Sequence, residues 1–257
     1  TPQEIFFYRF LIAYIGIWAI SPKHLFADNL KDELWLVAGG VFGGSLYFFT
    51  ENTALGITQA SNVAFIICTA PLLTTILSLL FYKSEKATKG LIYGSLLALI
   101  GVGLVVFNGS VVLKLSPVGD LLTLLAALSW AFYSLVIKRM TGRYPTVFIT
   151  RKIFFYGVLT ILPAFLLHPL QPDFDVLLQP LVLSNLLFLA VLASLICYIL
   201  WNVVLKQLGT MRASNYIYLN PLVTMVASVL ILHEQITWIT LMGAACIILG
   251  VYLAEKK

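Results

Sequence analysis

Glu51 sits where a carboxylate is costly. It lies four to five residues from the end of the apolar run Leu34–Leu55 and is followed by Asn52. A charge at bilayer depth costs about 2.5 kcal/mol or more, so it marks a functional position by default. Its chemistry would be contact with a solute amine, or carriage of a proton. The structural alternative is a carboxylate near the interface, hydrogen-bonded to a neighbouring helix. Arg9 and Arg151 are the matching cations, and Lys152 adjoins the second. Either arginine could bind a solute carboxylate, or reach the interface and pair with a neighbouring helix. Polar and aromatic residues at similar depth add candidates: Tyr47, Asn62, Trp130, Tyr133, Tyr198, Trp201, Asn202, Asn215, Tyr216, Tyr218 and Asn220. Interfacial belts explain many membrane aromatics. Trp130 and Tyr133 fall mid-run, where a belt does not, and could line a cavity by stacking or cation–π contact. Asn62 and Asn215 would cap helices or line that cavity. Pro71 and Pro221 each remove a backbone hydrogen bond within a run, so bends are expected there, as cavity walls or hinges.

The elements that hold these residues follow from composition. Apolar residues make up 60% of the chain and charged residues 11%, against about 25% charged in a soluble domain. Nine apolar runs fill the sequence: about 5–20, 34–55, 60–82, 90–107, 118–137, 146–167, 181–205, 213–232 and 236–254. Each approaches the roughly 20 residues that cross a bilayer as a helix. The net charge of +5 does not imply nucleic acid, because the basic residues cluster at run ends. Twelve Lys and Arg fall in the odd-numbered connections and C-terminal tail, and only Lys114 in the even-numbered ones. Positive charge is retained on the cytoplasmic side, so the C-terminus is expected in the cytoplasm and Thr1 outside. Cys68, Cys197 and Cys246 share no spacing and read as small core residues. Neither a disulfide, a metal nor a cofactor is called for.

The chain is also a duplication. Leu55-Gly56-Ile57-Thr58-Gln59-Ala60-Ser61-Asn62 returns as Leu208-Gly209-Thr210-Met211-Arg212-Ala213-Ser214-Asn215, with five of eight positions identical. Pro71 and Pro221 follow, then Glu85, Gly94, Gly101 and, at the same spacing, Glu234, Gly243, Gly250. Glu85 and Glu234 read as helix-opening carboxylates, favoured there by the exposed amides. Pro2–Arg9 matches Pro145–Arg151, and the run 118–137 has no partner in the first half. The unit is therefore five helices. The domain reading is residues 1–110 with four of them, residues 116–257 with five, and one helix missing ahead of Thr1. A unit with an odd number of crossings inserts its copy upside down. The first turn is uncharged while its copy carries Arg212 beside Lys206, as inversion requires. Inverted repeats are a secondary-transporter architecture, with solute bound between the halves. Gly39/Gly43, Gly40/Gly44 and Gly90/Gly94/Ala98 supply small-residue spacing for close helix approach.

These features resemble the EamA repeat of the drug/metabolite transporter superfamily. The resemblance rests on Pro2…Arg9, the Leu-Gly-x-x-x-Ala-Ser turn, the helix proline, the following Glu, the Gly94/Gly101 pair, and the stretch Asp120–Tyr133. It implies an all-α integral membrane fold of ten helices in two inverted five-helix repeats, nine of them in this chain. It further implies a central cavity and export of small metabolites, often amino acids or drug-like compounds, across the inner membrane. The partners would be a small-molecule solute, the lipid bilayer and protons as coupling ion. Relatives in the superfamily carry nucleotide sugars or sugar phosphates. That alternative needs several basic residues converging at depth, and only Arg9, Arg151 and Lys152 are available. A membrane enzyme is a third class: Asp173-Phe174-Asp175 matches the DxD of metal-dependent glycosyltransferases, but equally describes a solvated acidic loop. HExxH, GxSxG and P-loop motifs do not occur. A scaffold would have no need of interconvertible halves.

Overall fold

A computed structural model describes residues 1–22, 25–82, 86–107, 116–167, 169–232 and 237–256. Expectations for Glu85, Glu234 and Lys114 lie outside the described residues. Among the described residues the secondary structure is entirely helical. Among the described residues, eight helices are long and apolar enough to cross a membrane: 2–20, 60–81, 89–107, 117–141, 146–166, 180–208, 210–231 and 238–255. The remaining run, 34–55, is helical too. It spans α2 (Leu30–Gly40), a π-helical turn (Val41–Ser45) and α3 (Leu46–Ile57), and is diluted by four glycines and the polar stretch Thr50–Thr53. Side-chain caps set several starts: the Asn29 side chain accepts from Asp32 N at 2.8 Å, and Thr237 Oγ1 accepts from Thr240 N at 3.2 Å. Each cap satisfies an amide that the helix leaves unpaired.

The chain divides into two compact units. The first comprises 1–52 and 132–207. It contains α1 (Pro2–Ile20), α2 and the π turn, α8 (Thr146–Ile161), and α11 (Pro180–Leu187) leading through a π-helical stretch (Phe188–Ile196) into α12 (Cys197–Leu208). Its core is aromatic. Phe6, Phe10, Tyr133 and Phe154 are buried, with Phe10 and Phe154 edge to face at 5.0 Å between centroids. Close approach depends on missing side chains: a Cβ on Gly40 would fall 2.4 Å from Tyr156 Cβ, and one on Gly43 2.3 Å from the Tyr133 ring.

The second unit comprises 53–131 and 208–257. It holds α4 (Ala60–Ile67), α5 (Ala70–Phe81), α6 (Lys89–Phe107), α13 (Thr210–Asn215), a 3₁₀ turn (Tyr216–Leu219), α14 (Asn220–Ala227) and α15 (Trp238–Glu255). Helices α6 and α15 cross antiparallel, backbone against backbone. A Cβ on Gly94 would sit 2.4 Å from the Gly250 carbonyl oxygen, and one on Gly101 2.6 Å from that of Gly243. Beside this seam Cys68, Ala98, Val102, Tyr218, Ile247 and Val251 form a buried cluster.

Both proline-containing runs in this unit are interrupted. The first breaks at Cys68–Thr69, leaving Pro71 in the first turn of α5; the second passes through the 3₁₀ turn before Pro221 in α14. A first-turn proline lacks an N–H that no intrahelical acceptor would have taken. The repeated turn differs between its copies. Gly56 stays within α3, whereas Gly209 takes φ +80° ahead of α13, a left-handed conformation that glycine adopts without a Cβ clash.

Candidate functional site

The first unit brings together Arg9 and Glu51, two half-buried charges of opposite sign. Arg9, on α1, donates from Nε to Ser194 Oγ at 2.8 Å, and its guanidinium lies 4.6 Å from the Phe48 ring centroid. Tyr47 and Glu51 are one turn apart on α3, and the Tyr47 hydroxyl donates to Glu51 Oε1 at 3.0 Å. Arg9 and Glu51 lie within electrostatic reach of each other. Arg9, Tyr47 and Glu51 are all half-buried. The Phe48 ring joins them, packing on Tyr47 at 5.0 Å and on Phe10 at 5.7 Å. Tyr198 continues the wall, 5.7 Å from Phe10 and 5.4 Å from Phe154.

Behind that wall a fully buried polar chain is closed on itself. Tyr133 donates to Asn202 Oδ1 at 2.7 Å, and Asn202 Nδ2 donates to Thr150 Oγ1 at 2.9 Å. Thr150 in turn donates to the Thr146 carbonyl at 2.9 Å. Tyr133 and Asn202 therefore stand beside the charged group without offering it an open face. Their bonds satisfy polar atoms that burial would otherwise penalise. Asn52 lies on another side of α3, in a narrow cleft with Gln3, Phe6 and Phe49.

Arg151 occupies a different place. Its guanidinium donates to the Ser21 carbonyl beyond the end of α1 and covers the Phe148 ring at 5.4 Å. Lys152 pairs with Glu33, also donates to the Leu25 carbonyl at 3.1 Å, and lies 4.7 to 5.6 Å from the rings of Tyr156, Phe26 and Phe155. Nearby, Asp32 is 1% exposed. It accepts two bonds from Arg143, at 2.7 and 2.9 Å, and one from the Tyr144 hydroxyl at 3.1 Å. Hydrogen bonding to Arg143 holds the Asp32 carboxyl below the ordinary carboxylate range. These pairs tie the connection after α1, and the start of α2, to α8 and to the turn that follows the helix Pro117–Thr141.

Asn62, Trp130, Asn215 and Tyr216 fall in the second unit. Asn215 is fully buried and accepts from Ser95 Oγ at 2.9 Å, joining α13 to α6. Asn62 is buried in the first turn of α4, Trp130 is half-buried and Tyr216 is 37% exposed at the start of the 3₁₀ turn. Asp173 of the DxD stretch caps the short helix α10 (Phe174–Leu177), accepting from Val176 N at 3.1 Å.

Ser194, Phe48 and the Glu33–Lys152 and Asp32–Arg143 pairs were not among the sequence candidates. Nothing local marks them. The paired residues are more than a hundred positions apart, and a serine or phenylalanine in an apolar run is ordinary.

Eight apolar helices of membrane length among the described residues define a multi-pass membrane protein. The model of the EamA-like transporter family matches residues 1–107 and 117–255, and the chain belongs to that family. Among curated relatives, an uncharacterized transporter of Archaeoglobus fulgidus is 27% identical over 100% of this chain and 88% of its own length. The uncharacterized transporter YyaM of Bacillus subtilis is 30% identical over 84% of this chain and 70% of its own length. A protein of Salmonella typhimurium named a probable amino-acid metabolite efflux pump is 27% identical, covering 90% and 80%. A crystal structure at 18% identity superposes with a TM-score of 0.79, covering 99% of this chain and 87% of that one, a likeness of fold.

Proposed function

We propose that this transporter exports amino acids or closely related small metabolites across the cytoplasmic membrane by alternating access, with its C-terminus in the cytoplasm. Arg9 receives the solute carboxylate. Glu51, ionised, receives the ammonium group; after the solute leaves it takes up a proton from the water on that side and releases it on the other before the next solute binds, so solute and proton occupy it in alternation. Tyr47, Phe48 and Tyr198 form the surrounding wall. The observation that carries this reading is the pair of half-buried, oppositely charged side chains set in an aromatic wall on facing elements of one unit. A zwitterion presents the same two charges in reverse, and binding it replaces water around both. The names given to some relatives point to the same solute class. Phosphorylated cargo fits less well, because Arg151 and Lys152 are engaged with backbone carbonyls and Glu33 and only Arg9 remains beside the wall.

The test is flux from proteoliposomes loaded with a panel of amino acids. Wild-type protein is expected to give saturable flux that depends on a proton gradient. Glu51→Gln is expected to lose the gradient dependence and at least tenfold in rate while remaining folded. Unchanged flux and pH dependence in this variant would remove Glu51 from the mechanism. Absence of flux for every class tested would remove the amino-acid reading.

A further inference from the structure

Two π-helical stretches lie beside the charged group. Tyr47 lies two residues beyond the π turn Val41–Ser45, and Tyr198 two residues beyond the stretch Phe188–Ile196. Each stretch is held by a side chain from elsewhere in the unit. The Tyr198 hydroxyl donates to the Gly43 carbonyl, inside the first, at 2.5 Å. Ser194, inside the second, accepts from Arg9 at 2.8 Å. A π turn inserts a residue into the helical ladder, splays a carbonyl, and is often found at functional sites. Collapse of such a turn to α geometry removes that residue from the turn. The helix beyond then rotates by about 100° and shifts by about 1.5 Å. For α3 this would carry Tyr47 and Glu51 off the face they now present. Gly43 has no room for a side chain against Tyr133, and its carbonyl is the one that the Tyr198 hydroxyl takes.

We propose that Tyr198 is a positioning residue. By bonding the Gly43 carbonyl it keeps the first π turn in place and thereby aims Glu51 and Tyr47 at the solute. Arg9, anchored on Ser194 in the other stretch, is aimed from the opposite side. The inference rests on Glu51 and Arg9 being the solute's contacts. It separates from that reading because the aim of α3 can be measured without any solute.

The experiment is a cysteine scan of α3 in a background where Cys68, Cys197 and Cys246 are replaced by serine. Positions 46 to 53 are changed one at a time in the full chain, and each is labelled in liposomes with a water-soluble maleimide. With Tyr198 intact, positions 47 and 51 are expected to react fastest. Tyr198→Phe keeps the ring against Phe10 and Phe154 and removes only the hydroxyl. One hydrogen bond of ordinary strength shifts a two-state balance about fivefold, so the labelling ratio of positions 48 and 52 to 47 and 51 should rise about fivefold. In flux measurements with leucine as probe, Tyr198→Phe should raise KM severalfold with a smaller effect on kcat. An unchanged labelling pattern in Tyr198→Phe overturns the proposal. A shifted pattern together with normal flux in Glu51→Gln upholds the aiming role and overturns the solute reading instead.

Discussion

Removing the Lys152 ammonium would leave Glu33 in a largely apolar setting without its cation. Breaking a buried pair from one side costs about 3–5 kcal/mol, whereas replacing both partners by apolar groups is often close to neutral. Lys152→Met is therefore expected to lower the melting temperature in detergent sharply, and Glu33→Leu combined with Lys152→Met to recover much of it. A double variant no better than the single one would show that the ring contacts, rather than the charges, hold this connection. Asp32 gives a pH counterpart. Its carboxyl is held below the ordinary range, so its contribution is complete above the unfolded value of about 3.9. It is lost as pH falls through the lower folded value. Melting curves below about pH 4 should steepen in wild type relative to Asp32→Asn, which cannot ionise. At this scale the sequence was a partial guide. A charge in an apolar run is conspicuous, so Glu51, Arg9 and Arg151 stood out from composition. Which arginine stays by the carboxylate depends on partners such as Ser194 and the Ser21 carbonyl, and no local pattern carries that.

Helices show the opposite balance. Runs of apolar residues located almost every spanning element, because length and hydropathy determine them directly. Interruptions were harder to read. Prolines at 71 and 221 signalled a disturbance, but the breaks fall at Cys68–Thr69 and Tyr216–Leu219, ahead of each ring. The two π-helical stretches of the first unit share no composition, one being Gly-rich at Gly43–Gly44 and the other aliphatic over Phe188–Ile196, so neither announces the other. The α6–α15 seam makes a sharp prediction. Gly94→Val would place methyl groups into a gap where even a Cβ meets the Gly250 carbonyl at 2.4 Å. Overpacking costs about 1–3 kcal/mol where side chains can yield, and a backbone carbonyl yields less. The variant is expected to lose folded protein in size-exclusion profiles, while Gly142→Ala, which meets nothing within 4 Å, should behave as wild type.

Across the whole molecule, charge asymmetry is the feature that a single experiment can read. Twelve basic residues in one set of connections against one in the other predict an intracellular C-terminus. A C-terminal green fluorescent protein fusion should therefore fluoresce, and an alkaline phosphatase fusion at the same point should stay inactive; the reverse pattern would invert the orientation. The duplication, too, was legible, because identical residues at identical spacing survive in it. The division into units was not. Each unit draws on two separate segments, one from each half of the sequence, and contact between distant segments leaves no trace in composition. The glycine seam carries a further consequence. Gly94 meets Gly250 and Gly101 meets Gly243; exchanging the equivalent stretches turns the first contact into the second. Such an interface is isologous, the kind by which two copies of one chain associate about a two-fold axis. The seam has the form expected if a single five-helix ancestor first paired with itself in opposite orientations and only later became one polypeptide. Its two sides should therefore still tolerate substitution equally.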